Sequence, residues 1–343
     1  MRAEQNAAWR QVTLSPAVQI GVLPDDIGVA DSDDRARKIC KSSVACPLVR
    51  EEVGNAARQS RQEGGCMSVT SVCSSVRVRR FSDEDRAAVL RLIDEDRLPG
   101  QPAVSPTVLS HALRAEEGLE NAGCDVLVSA DDAVLGAVSY GVPKGDGAGV
   151  LLWLHCMEDE QGLAQNLIDH TLTQLGRRTV HAYAVSTAMA PAGLPMRKRP
   201  GTRRALEACG FSGTDRWRYL HHSLDTLSPR LYAIADLIEH VDGGWQLDLR
   251  ERDGTRIGEA CVSVPVGGVA ALEWVTLAPE RRRLGHILLE QCLTNLSDRG
   301  VRHVTTCLDA PDFDKPHHEA AIHLHEAAGF TVTDQLHTYI RCP

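Results

Sequence analysis

Leu277-Ala278-Pro279-Glu280-Arg281-Arg282-Arg283-Leu284-Gly285-His286-Ile287 joins a strand-like run ending at Leu277 to an amphipathic helix. Where a helix begins, its first backbone N–H groups have no partner inside the helix, and its dipole favours negative charge. Three consecutive arginines add charge-assisted donors. Gly285 lets a ligand come close to the backbone. The segment reads as a cradle for an anion of pyrophosphate type.

The strand and helix around this cradle have a counterpart earlier in the chain. Trp153 and Trp274 stand 121 positions apart, each inside an apolar strand pattern. Leu163, Leu167, Ile168, Leu172 and Leu175 repeat at the same offset as Leu284, Leu288, Leu289, Leu293 and Leu296. This is the i, i+4, i+5 spacing of one helix face. A hairpin pattern precedes each copy: Val126–Val128 with Leu135–Val138, and Leu247–Leu249 with Ile257–Ala260. A strand starting at Val180 or Val301 follows. Each copy then closes on a helix ending in Gly210-Phe211 or Gly329-Phe330, and on a last strand holding Tyr219 or Tyr339. Two homologous α/β lobes account for this order.

The seam falls near Ser223–Ser228, giving lobes at 75–225 and 226–343. The first lobe opens with the alternating strand Val76–Arg79. A helix follows, capped by Ser82 with Asp85 completing the capping box. A second helix is predicted from Pro106 to about Leu119. Ser228-Pro229 is predicted to start the one helix that precedes the second lobe's hairpin. Residues 1–74 are polar and lack apolar periodicity, so they read as a disordered or weakly helical extension. An alternative reading starts the native protein at Met67, because the codons of Gln62-Glu63-Gly64-Gly65 can form a ribosome-binding site.

The 343 residues suffice for two domains, and 43% are hydrophobic, as in ordinary globular chains. A net charge of −9 provides no broad cationic field, which argues against a nucleic-acid binder. No apolar run approaches the roughly 18–20 residues of a membrane helix, and no signal pattern opens the chain. The 11 cysteines show no C-x-x-C pair, so reduced thiols in the cytoplasm are expected, with Cys292 and Cys307 at core positions. His317-His318 with Asp312 and Asp314 match no zinc spacing, so no metal is expected. The basic run Met196–Arg204 reads as a solvated loop, with the phosphates of a bound ligand or an acidic partner as the competing reading.

The cradle resembles the acyl-CoA motif of the GNAT superfamily, V-x-P-x-x-R/Q-x-x-G-x-G/A. Pro279, Arg282 and Gly285 fall on its proline, basic and first glycine positions, and Ile287 departs from the final small residue. Ala321-Ile322-His323-Leu324-His325-Glu326-Ala327-Ala328-Gly329-Phe330 resembles the second family motif, A-x-x-L-Y-E-x-x-G-F, with His325 in the tyrosine's place. The resemblance covers Val76 to Pro343 as a tandem similar in arrangement to mycothiol synthase. It implies two GNAT-type lobes, each a mixed, mostly antiparallel sheet flanked by helices.

The resemblance also implies acyl-CoA as co-substrate, acetyl-CoA in the first instance, and direct transfer to a primary amine. It assigns Glu273 as the base and His325 as the acid that protonates the leaving thiolate. Competing readings leave Glu273 a surface glutamate and His325 a partly exposed helix residue without a role. Val275 and Leu277 would supply backbone oxyanion contacts. Arg281, Arg282, Arg283, Leu284, Gly285, His286 and Ile287 would hold the cofactor, and His318, where the family often has asparagine, would face it. In the first lobe the cradle reads Glu158-Asp159-Glu160-Gln161-Gly162-Leu163-Ala164. Acids replace the arginines, Leu152 aligns with Glu273, and Leu206 aligns with His325. That lobe reads as degenerate, with Gln161, Gly162 and Ala164 forming at most a second CoA site.

The sequence therefore predicts a cytoplasmic N-acyltransferase, monomeric or homodimeric, acting on a small-molecule amine with no nucleic-acid or membrane partner. The alternatives are a non-catalytic acyl-CoA-binding scaffold and a protein N-acetyltransferase.

Overall fold

The computed structural model describes residues 76–343 apart from 116–118, 146, 227–233, 240–243, 278–284 and 312–315. The expected N-terminal extension and the cradle arginines lie outside the described residues. The first lobe runs β1 (Arg77–Arg80), α1 (Arg86–Glu95), α2 (Pro106–Ala115), β2 (Leu119–Val128), β3 (Val134–Pro143) and β4 (Gly149–Cys156). It continues through α3 (Gln161–Leu175), β5 (Val180–Ala182), β6 (Leu194–Pro195), α4 (Pro200–Ala208) and β7 (Ser212–Ser223). The second runs β8 (Ile234–Glu239), β9 (Trp245–Arg250), β10 (Arg256–Val262), β11 (Val269–Leu277), α5 (Gly285–Asp298), β12 (His303–Asp309), α6 (Pro316–Ala327) and β13 (Thr331–Arg341).

Local chemistry explains the boundaries. The Ser82 amide donates to the Asp85 carboxylate at 2.8 Å, the capping box expected from the sequence, and Arg79 clamps the same carboxylate at 2.7 Å. Glu160 caps α3, and Gly176 ends it at φ +71°. Two expectations are corrected. Leu119 starts β2 rather than ending α2. The helix expected before the second hairpin meets a strand at Ile234–Glu239; its Ile234, Leu237 and Ile238 have helical spacing, but pairing with β9 along the whole segment prevails. Its expected start at Ser228 lies outside the described residues.

The described strands form one continuous sheet in the order β1-β2-β3-β4-β5-β13-β7-β12-β11-β10-β9-β8, with β6 paired to β13. The β4/β5 and β11/β12 pairs are parallel; the others are antiparallel. The centre of this order shows an exchange. β7, the last strand of the first repeat, lies against β12 of the second. β13, the last strand of the second, lies against β5 of the first. Each carries a side chain into the other lobe's core: Leu220 packs with Leu272, Val304 and Phe330, and Tyr339 packs with Leu194, Leu206 and Phe211. Asp334 of β13 also accepts the Arg197 and Lys198 amides at 2.9 and 3.0 Å. A third cluster lies under α1 and α2 and contains Val89, Ile93, Leu109 and Trp153.

Candidate functional site

β11 and β12 pair only over Val269–Ala271 and His303–Thr305. Beyond that they part: β11 stays with β10 as far as Leu277, and β12 stays with β7 as far as Asp309. A fork therefore opens in the middle of the second lobe's sheet. From Leu272 onward, the edge of β11 facing β12 has no strand partner among the described residues. Its backbone N–H and C=O groups, those of Val275 and Leu277 included, are placed to bond a ligand.

Glu273 stands at the root of the fork. Cys261 lies opposite Trp274 and Val262 opposite Leu272, so Glu273 is the extra residue of a β-bulge. Its carboxylate accepts a long contact from the Cys261 thiol at 3.5 Å. Burial, and then the neighbouring Glu273, push that thiol up to about 12, so it remains a protonated donor. The first lobe repeats the geometry. Ser139 opposes Trp153, Tyr140 opposes Leu151, and the extra residue is Leu152. The same backbone device thus presents a carboxylate in one lobe and a hydrocarbon in the other.

The remaining expected residues gather around the fork unevenly. Gly285 is buried at the first position of α5, and His286 beside it is exposed. Arg281, Arg282, Arg283 and Leu284 lie outside the described residues; Ile287 belongs to α5. His318, in the first turn of α6, approaches the Ala310 carbonyl at 3.1 Å through Nδ1 and the Asp309 carboxylate at 3.6 Å through Nε2. It lines a polar cleft with Asp215, Arg216 and Trp217.

His325 is buried rather than partly exposed. Its Nδ1 lies 2.8 Å from the Ala321 carbonyl, and its ring packs edge-on against Phe330. Nδ1 must therefore carry the proton, which leaves Nε2 a lone pair with no partner among the described residues. Burial also lowers its pKa. At neutral pH this imidazole is an acceptor. That runs against the acid role expected from the sequence, because burial opposes the protonated Nε2 such a role needs.

In the first lobe the corresponding space is occupied by the lobe itself. Arg199 is buried, donating from Nη1 to the Leu154 carbonyl and from Nη2 to Thr202 Oγ1, both at 2.7 Å. Its Nε lies 3.2 Å from Asp96 and 3.5 Å from Asp159. Tyr183 adds a bond to the same Leu154 carbonyl at 3.3 Å. Burial alone would raise the Asp96 carboxyl, but Arg199 and the His155 hydrogen bond at 2.6 Å outweigh it and hold the group below its ordinary range. At the start of α3 the Glu160 carboxylate takes the Gly162 and Leu163 amides at 2.9 and 2.6 Å. Gln161 receives Arg204 at 3.1 Å, and Ala164 is fully buried. The groups expected to form a second CoA site are thus used internally.

No protein-family model matches the chain, and no curated protein matches it by sequence. Solved structures do match. A tandem GNAT protein from the clavulanic acid biosynthesis pathway superposes with TM-score 0.51 at 16% identity, over 78% of this chain and 98% of that one. A GCN5-related N-acetyltransferase from Sphaerobacter thermophilus gives TM-score 0.50 at 17% identity, over 78% and 95%. The fold is that of a tandem GNAT protein.

In this tandem GNAT fold the two lobes differ structurally in groups that the sequence reading missed. Arg199 was assigned to a solvated loop, yet it is the buried centre of an ion network. The available signal was Asp159 in the degenerate cradle, a carboxylate that needs a partner once buried. Removing the guanidinium leaves Asp96 and Asp159 without their counter-charge and the Leu154 carbonyl short of a donor. Arg199→Ala is expected to lower stability by about 3–5 kcal/mol, read from urea unfolding. A loss below about 1 kcal/mol would show the network to be dispensable.

Proposed function

We propose that the chain transfers an acyl group from acyl-CoA, acetyl-CoA in the first instance, directly to the primary amine of a small molecule, with the chemistry in the second lobe. One observation carries this reading. Among the described residues nothing hydrogen-bonds across the β11/β12 fork beside the bulged carboxylate, whereas the first lobe closes its own fork with Arg199 and Tyr183 and its own helix start with Glu160.

In the proposed reaction Glu273 takes a proton from the ammonium group. The amine nitrogen then attacks the thioester carbonyl carbon, the N–C bond forms, the nitrogen gives its second proton to solvent, the C–S bond breaks, and sulfur leaves as thiolate. Backbone N–H groups of β11 near Val275 and Leu277 stabilise the oxyanion. The arginines before α5 and the Gly285 amide hold the pyrophosphate. The thiolate takes its proton from solvent, since His325 is neutral with Nε2 as acceptor. That neutrality is also what favours the competing reading, a non-catalytic acyl-CoA binder.

Gly285→Glu tests the donor site by placing a side chain and a negative charge in the first turn of α5, where both oppose a bound pyrophosphate. Native mass spectrometry with acetyl-CoA is expected to show binding weakened by about a hundredfold, with Arg282→Ala weakening it less. Unchanged affinity in both variants would move the donor site away from α5 and reverse the assignment of the lobes.

A further inference from the structure

A pocket of about 140 Å³ lies beside the second lobe's fork, on the sheet face away from α5 and α6. Val304 and Leu308 of β12 point into the α5–α6 core, so Thr305 and Cys307 point to the other side, into this pocket. The second lobe supplies its floor from β11 and β12. Its roof comes from the first lobe: the α1–α2 connection at Gln101–Val104 and the segment Ser186–Pro191. Neither lobe forms the pocket alone.

The lining contains no aspartate, glutamate, lysine, arginine or histidine. Its titratable members, Tyr219 and Cys307, are pushed upward by burial and stay neutral. Most of its polar atoms are already engaged. Gln101 bonds the Leu98 amide and the Met189 carbonyl, Thr187 takes the Met189 and Ala190 amides, Ser263 takes the Ala271 amide, and Tyr219 donates to Pro99. Thr306 also lines it where the strands part, but its side chain lies on the face of Val304, Leu308 and its partner Leu220, away from the pocket.

We infer that this pocket holds the body of the acceptor, and that the acceptor is a primary amine on a single uncharged, apolar group of about benzyl or hexyl size. The inference names the substrate class for the acyltransferase reading and rests on it. Size follows from volume, since an apolar cavity of about 150 Å³ accommodates a benzene ring. Charge follows from the lining, because an acceptor carrying a second ammonium would bury it with no counter-charge.

Calorimetric titration of the full chain without any CoA tests this, with benzylamine, hexylamine and spermidine as probes. Ala188→Trp fills the pocket from the first lobe and Val264→Trp from the second; circular dichroism and thermal unfolding establish that each variant folds. Benzylamine and hexylamine are expected to bind, and each variant to weaken them by at least about tenfold, with no measurable spermidine binding. Spermidine binding as well as benzylamine to the unsubstituted chain overturns the inference, and that comparison needs no variant. Amine affinity unchanged in both variants overturns it too, as does an effect confined to hexanoyl-CoA affinity, which would give the pocket to the acyl chain. Acetylation is then measured separately. If the apolar amines bind as expected and are not acetylated, the ligand class stands and the transferase reading fails. If spermidine is acetylated equally by the unsubstituted chain and both variants, the transferase reading stands and the pocket assignment fails.

Discussion

A chain ended after Phe330 is expected to lose cooperative unfolding in both lobes. The thirteen residues removed comprise β13 and two more, and β13 belongs by sequence to the second lobe. Its hydrogen-bonded neighbours, however, are β5, β6 and β7. Without it the first lobe loses Tyr339 from its core, and Leu336 no longer packs against Leu98 and Tyr219. Each of these side chains contributes about 1.5–3 kcal/mol through burial. The turn at Arg197–Lys198 also loses the buried Asp334 carboxylate that bonds its amides. Unpaired edges appear on β5 and β7, and exposed edges invite aggregation. Against a total stability of about 5–15 kcal/mol, these losses are decisive. Thermal circular dichroism would show no sharp transition, and a peptide of residues 331–343 added in trans should restore part of it. A truncated chain that melts cooperatively within a few degrees of the full chain would mean that the exchanged strand is an accessory.

The exchange also marks where sequence reading ends. The repeat was legible because period-3.6 leucines, two tryptophans and two Gly-Phe closures are local signals that recur in one order. Strand partners are not local. β7 and β13 both read as last strands, and nothing in their residues says that each lies against the other lobe's parallel strand. Ile234–Glu239 misled for a related reason: its apolar residues suit either period, and only pairing with β9 decides between them. The tryptophans located the bulged strands, but the bulge itself appears only when register is known. The closure of the first lobe's fork joins Asp96, His155, Asp159 and Arg199, residues far apart in the chain. Glu160 was closer to reach, since an acid just before a helix is a natural cap.

The bulge gives the second large effect. Glu273→Gln keeps the size and shape of the side chain and an oxygen that can still accept from the Cys261 thiol, so the thermal transition should stay where it is. What it removes is the capacity to take a proton. Under the proposed mechanism kcat should fall by about 10²–10⁴-fold, the range for losing a positioned general base, while acetyl-CoA binding is unaffected. The first lobe makes the comparison internal to the molecule. Leu152 occupies the same bulge and cannot accept a proton, and there the fork has been filled with Arg199 and Tyr183. Loss of the carboxylate and closure of the fork therefore coincide in one lobe, and a carboxylate and an unclosed fork coincide in the other. That pairing is expected if the carboxylate serves a ligand in the fork. A kcat within a few-fold of the unsubstituted chain would break the link, leaving Glu273 a surface residue of β11 and the open fork a binding site without a base.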